Sequence, residues 1–113
     1  MFIESDSLNN YILVVDDNPD NLLLIKLILE RDGHQVHLVD NALTALDIVA
    51  HSPPNLIVLD VMMPFVDGYE MTRRIRQDFN LPFIPILLVT AHSESSLVKG
   101  LDGGADEFLR KPL

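Results

Sequence analysis

The chain has no cysteine, which excludes disulfides and thiolate metal ligation. Basic residues are scarce: 8 Lys and Arg stand against 17 Asp and Glu, for a formal net charge of −9. Gripping nucleic acid takes clustered Lys and Arg against phosphate, so direct nucleic-acid binding is not expected. No apolar run approaches the roughly 18 residues that a membrane span requires. The opening Met1-Phe2-Ile3-Glu4-Ser5-Asp6 lacks the basic region of a secretory signal. It reads as part of a flexible lead-in, residues 1–10, and the default expectation is a cytoplasmic protein. Repeats, low-complexity tracts and internal linkers are absent too. What remains is 113 residues, 48% of them hydrophobic, enough for the core of one domain.

Strand and helix signals alternate along it. A strand is expected at about Tyr11 to Val15. Asn18-Pro19 then supplies a cap and a first-turn proline for a helix to about Arg31, stopped by Asp32-Gly33. The second strand is about Gln35 to Val39, the second helix Ala42 to about His51 behind Asp40-Asn41. After Pro53-Pro54 come a third strand, Leu56 to Leu59, and a loop from Asp60 to Gly68. A third helix, Tyr69 to about Asp78, and a fourth strand, Ile84 to Val89, follow. A weaker helix over Ser93 to Leu101 and a short strand over Asp106 to Leu109 close the pattern. Near-continuous apolar strands are buried on both faces, which calls for a parallel sheet with helices on each side. In such sheets the binding crevice lies at the carboxyl ends of the strands.

Polar residues stand at those ends. Asp16-Asp17 follows the first strand, Asp60 the third and Thr90 the fourth. Three carboxylates on one rim repel each other, and a divalent cation is the natural compensation. Oxygen ligands alone favour Mg²⁺, or Mn²⁺, over zinc. Mg²⁺ commonly joins carboxylates to phosphate oxygens, and a carboxylate can itself accept a phosphoryl group. Such transfer needs charge neutralisation and a hydrogen-bond donor about the phosphoryl oxygens. Lys111 can bring the cation and Thr90 the hydroxyl. His34, His37 and His51 have no metal-ligand spacing and read as surface residues.

Taken in order, Asp16-Asp17, the loop Asp60-Val61-Met62-Met63-Pro64-Phe65-Val66-Asp67-Gly68, Thr90-Ala91, Gly104-Ala105-Asp106 and Lys111-Pro112 resemble the receiver domain of two-component response regulators. The resemblance runs from about Tyr11 to Leu113. It implies a flavodoxin-like, doubly wound five-stranded parallel sheet in the order 2-1-3-4-5. Asp60 would accept phosphate from a histidine kinase or phosphotransfer protein. Asp16, Asp17, Asp60 and the Met62 carbonyl would hold Mg²⁺. Lys111 would pair with Asp60 and then the phosphoryl group, Thr90 and Phe108 would form the switch, and Lys111-Pro112 would be a cis peptide. Met62 and His92 would tune dephosphorylation.

The resemblance is incomplete. Phe108 lacks the hydroxyl of a tyrosine, so a switch read through that group is not available. In the family a fifth helix follows the Lys-Pro turn, whereas this sequence stops at Leu113. The expectation is a receiver over residues 11–113, truncated before that helix. The first helix is apolar nearly all round, Leu22-Leu23-Leu24-Ile25-Lys26-Leu27-Ile28-Leu29; self-association through it and the open flank is one expectation, a tolerated truncation with reduced stability the other. Two other functions fit parts of the pattern. A phosphohydrolase with an aspartyl-phosphate intermediate usually carries a second Asp two residues after the nucleophile, where Met62 stands here. A docking-only receiver would not need the full set of Asp17, Asp60, Thr90 and Lys111. A nucleotide-binding sheet would need a glycine loop after the first strand, and there is none.

Overall fold

β1 (Ile12–Val15), β3 (Leu56–Asp60) and β4 (Ile86–Thr90) are apolar over nearly their whole length, and a strand of this kind has no face to turn to water. In the computed structural model, which describes residues 10–90 and 104–110, these three fill the middle of a parallel sheet. β2 (Val36–Val39) and β5 (Glu107–Arg110) flank them, in the order β2-β1-β3-β4-β5. Both flanking strands are more exposed, as edge strands are.

Alternation along the strands sorts side chains to two faces. Leu13, Val15, Ile57, Leu59, Ile86 and Leu88 point to one. There they meet Ala42, Ala45 and Val49 of α2 (Ala42–His51) and Met71 and Ile75 of α3 (Gly68–Gln77). Ile12, Val14, Val58 and Val89 point to the other and pack on Leu22 and Ile25 of α1 (Pro19–Arg31). The sheet is therefore covered on both sides, with the strand tips free at one end.

Local chemistry fixes the helix ends. Asn18 accepts hydrogen bonds from the Asp20 and Asn21 amides at 2.8 and 3.4 Å, and Pro19 occupies the first turn, where its missing N–H costs nothing. At the other end Gly33 takes φ +91°. Its amide donates to Glu30 O at 2.9 Å and that of His34 to Leu29 O at 3.2 Å, the paired closure of a Schellman cap. Asn41 and Asp67 cap α2 and α3 by accepting from Thr44 N and Glu70 N, each at 2.8 Å.

The structure departs from the sequence reading mainly at element ends. β4 begins at Ile86 rather than Ile84, because Pro85 has no N–H to give to the ladder, although its carbonyl accepts from Ile57 N at 3.0 Å. Asp60 lies inside β3, paired in register with Val89, instead of following it. β5 runs one residue further, to Arg110. Of the two loop methionines, Met63 is buried and Met62 is 58% exposed. The expected fourth helix, His92 and the Lys111-Pro112 peptide lie outside the described residues. No helix among the described residues is long and apolar enough to cross a membrane.

One cross-link was not anticipated. The Arg76 guanidinium, from the last turn of α3, donates to Gly104 O at 2.8 Å, to Ile84 O at 2.7 Å and to Asp106 Oδ2 at 2.7 Å. That carboxylate oxygen also accepts from Ile86 N at 2.8 Å. Gly104 sits at φ +107°, and a Cβ there would come within 2.7 Å of Arg76 Cγ. The starts of β4 and β5 are thus tied to α3 through one side chain. At the same end of the sheet the Tyr11 hydroxyl donates to Ser52 O, and burial raises the pKa of this phenol above the usual 10.0.

Candidate functional site

The free strand tips carry the chemistry. Asp16 follows β1 directly and is 1% exposed; Asp60 ends β3 and is 4% exposed. Asp17, beside Asp16, faces solvent. One carboxylate oxygen from each of the three lies within 4.8 Å of the other two. This is the one such cluster of potential metal ligands among the described residues. At that separation the repulsion of two unit charges is roughly 1 kcal/mol in bulk water and about 3 kcal/mol at an effective dielectric of 20. A bound cation would convert such repulsion to attraction. A set of hard oxygen donors of this size suits Mg²⁺, so the residues present fit the ion.

Each carboxylate is placed by backbone. Asp16 Oδ1 accepts the Asn18 amide at 2.9 Å, so the turn into α1 orients this carboxylate at the rim. Asp60 is held by its neighbours on both sides. β1 and β3 pair with Val15 opposite Leu59, which brings the two aspartate-bearing ends together, and Val61 N donates to Val89 O at 3.2 Å, which carries the β3–β4 ladder past Asp60. Thr90 ends β4 one residue beyond Val89 and is 1% exposed. It therefore stands at the rim on the other side of Asp60 from Asp16.

The loop after Asp60 folds back on its own start. Gly68 N donates to Val61 O at 2.9 Å. A Cβ on Gly68 would meet Asp60 O at 2.5 Å and Val61 Cα at 2.9 Å, so only glycine allows this approach. Between these anchors Met63 and Val66 are buried while Phe65 is 100% exposed. Phe65 also has φ +70°, in the left-handed region that costs a non-glycine residue roughly 1 kcal/mol or more. The sequence marks Gly68 as part of a motif but does not reveal its contact with Asp60. Nothing in the sequence marks the backbone of Phe65, since glycine or asparagine would be the expected residue there.

Of the other residues singled out by sequence, Phe108 lies opposite Leu88 in β5, half-buried against the core cluster. His34, His37 and His51 are all exposed, as expected. Lys111 and His92 are outside the described residues. A cavity of about 430 Å³ opens at the opposite end of the sheet, lined by Tyr11, Gly33, His34, Gln35, Asn55 and Leu56. It is remote from the carboxylates.

Comparison with known proteins agrees with this geometry. Residues 12–113 match the family model of the response regulator receiver domain. The chain is 43% identical over 102 residues to the response regulator MprA of Mycobacterium sp. (strain KMS), covering 89% of this chain and 44% of that protein. It is 41% identical over 106 residues to the sensor histidine kinase GacS of Pseudomonas protegens, covering 90% of this chain and 12% of that one. The chain thus spans less than half the length of these curated relatives. Among solved structures, the signal receiver domain of a histidine kinase from Syntrophus aciditrophicus superposes with a TM-score of 0.83 at 38% identity, covering 91% of this chain and 79% of that one. With the five-stranded order, the clustered aspartates and these matches together, the chain belongs to the response regulator receiver domain family.

Proposed function

We propose that Asp60 is the residue of this receiver that takes the phosphoryl group. The supporting observation is the convergence of Asp16, Asp17 and Asp60 within 4.8 Å at the strand tips. A carboxylate oxygen of Asp60 attacks phosphorus, the O–P bond forms as the N–P bond of a donor phosphohistidine breaks, and the freed imidazole takes up a proton. Asp16, Asp17, Asp60 and the Met62 carbonyl would hold Mg²⁺, which would supply neutralisation of phosphoryl charge. Asp16 and Asp17 position the metal, and Thr90 donates its hydroxyl to the new phosphate. Lys111 supplies the second positive charge. The added charge, about −1.5 to −2, then draws on Thr90 and Phe108 to bias a two-state switch. The domain acts on itself alone, by accepting the group and losing it again, in the cytoplasm where phosphohistidine donors draw on ATP. Met62 and His92 stand where attacking water would be tuned.

The test is direct. In acetyl phosphate and Mg²⁺ the protein should gain one phosphoryl group by intact mass, and chelation of Mg²⁺ should prevent it. At ten times its dissociation constant Mg²⁺ should stabilise the fold by about 1.4 kcal/mol, or roughly 5 °C in Tm, and Asp17→Asn should remove most of that gain. Labelling that proceeds equally well in chelator, or maps to another residue, refutes the reading.

The outer face of α1 supports a second statement about partners. Leu23, Leu24, Leu27 and Ile28 are between 43% and 57% exposed, a continuous apolar surface of the kind that seeks a partner. We read it as a self-association surface. Light scattering at micromolar concentration should show a dimer that Leu27→Glu dissociates; a wild-type monomer rejects this.

A further inference from the structure

We infer that Phe65 is an anchor for the protein that donates the phosphoryl group, and so sets which donor this receiver accepts. The inference rests on Asp60 being the acceptor.

Phe65 combines two features that work against each other inside the molecule. Its backbone is held at φ +70°, where a phenylalanine is strained and a glycine is not. Its side chain is 100% exposed, so no packing within this chain offsets the strain. An aromatic ring that gains nothing from its own fold at a position it occupies unfavourably has its use in contact with another molecule.

The position indicates which molecule. Phe65 lies three residues before Gly68, whose amide is bonded to Val61 O at 2.9 Å. Three residues reach at most roughly 10–11 Å, so the ring is tethered close to the phosphoacceptor. Asp60 is 4% exposed, which means that a donor histidine must enter the rim and bring the surrounding donor surface against it. The exposed apolar side chains on the loop leaving Asp60 are Met62, Pro64 and Phe65, of which Phe65 is the most exposed of the large ones. A phosphohistidine framed by an apolar recess complements them, while a small donor such as acetyl phosphate passes without touching Phe65. Aromatic side chains that fill a partner's pocket are the residues whose loss most weakens an interface.

The experiment compares two donors on the same protein. Purified histidine kinases are autophosphorylated, and the one that labels the wild type fastest is kept. Transfer from it and labelling by acetyl phosphate are then measured for wild type, Phe65→Gly and Phe65→Asn. Both replacements accept positive φ, so neither should lower Tm. The ratio of kinase-driven to acetyl phosphate-driven labelling should fall about tenfold in both, through a higher KM for the receiver rather than a lower kcat. A ratio that stays at the wild-type value overturns the inference. So does a change confined to self-association, which would make a second copy of the chain the occupant. Failure of acetyl phosphate to label even the wild type on Asp60 is a different result: it removes the proposed function itself.

Discussion

Asp60→Asn is expected to abolish phosphoryl labelling by either kind of donor. Asparagine matches aspartate in size and can fill the same site, 4% exposed at the end of β3, so the ladder to Val89 and the packing of Leu59 should survive. What disappears is the anionic oxygen proposed to attack phosphorus, together with one of the three clustered carboxylates proposed to hold the metal. A neutral amide is a poor nucleophile, and Asp16 and Asp17 follow β1, one strand further from Thr90 than Asp60 is. The loss should therefore be complete by intact mass, not partial. The Tm gain in Mg²⁺ should shrink at the same time. Wild-type levels of label in Asp60→Asn would transfer the acceptor role elsewhere and dismantle the mechanism.

Gly68→Ala should produce the largest loss of stability from a single methyl group. The new Cβ would stand 2.5 Å from Asp60 O and 2.9 Å from Val61 Cα. Both are backbone atoms, so no side-chain rotation relieves the clash. The loop would have to move, breaking the Gly68 N–Val61 O bond of 2.9 Å and shifting the start of α3, and with it Met71, which is wholly buried. Overpacking of this kind costs about 3 kcal/mol, or a Tm lower by roughly 12–20 °C, read by thermal unfolding. Gly33→Ala is the matched comparison. Gly33 has φ +91° but nothing within 4 Å of its would-be Cβ, so only the backbone conformation is penalised, by about 1 kcal/mol. Comparable losses at the two glycines would show that the contact with Asp60 is not the tight one described.

Much of this was legible in the sequence, for physical reasons. The runs around Val14, Val58 and Leu88 are too apolar to be anything but buried strands, and the Asn18-Pro19 and Asp32-Gly33 signals fix the ends of α1 because caps are local chemistry. The site followed because a carboxylate after each of two such strands must come to one rim once the sheet is parallel. What was hidden depends on tertiary approach. Arg76 and Gly104 are 28 residues apart, and nothing in either neighbourhood announces the other. The contact between Gly68 and Asp60 exists only after the loop closes. The φ of Phe65 contradicts its residue type, so local reasoning misses it by construction. The strand limits at Ile86 and Asp60 turned on which backbone groups find partners across the sheet, which pattern alone does not tell.

The Arg76 bracket has a mechanical consequence. It fastens Ile84, Gly104 and Asp106 to α3 at the end of the sheet away from Asp60. β4 and β5 are then clamped at their roots by a side chain, in addition to the ladder that joins them as far as Thr90 and Arg110. Force applied at the acceptor is resisted least at the tips and most at the roots, so displacement should grow along each strand in the direction of the chain. A receiver built this way should keep its foundation still when phosphorylation displaces its upper rim.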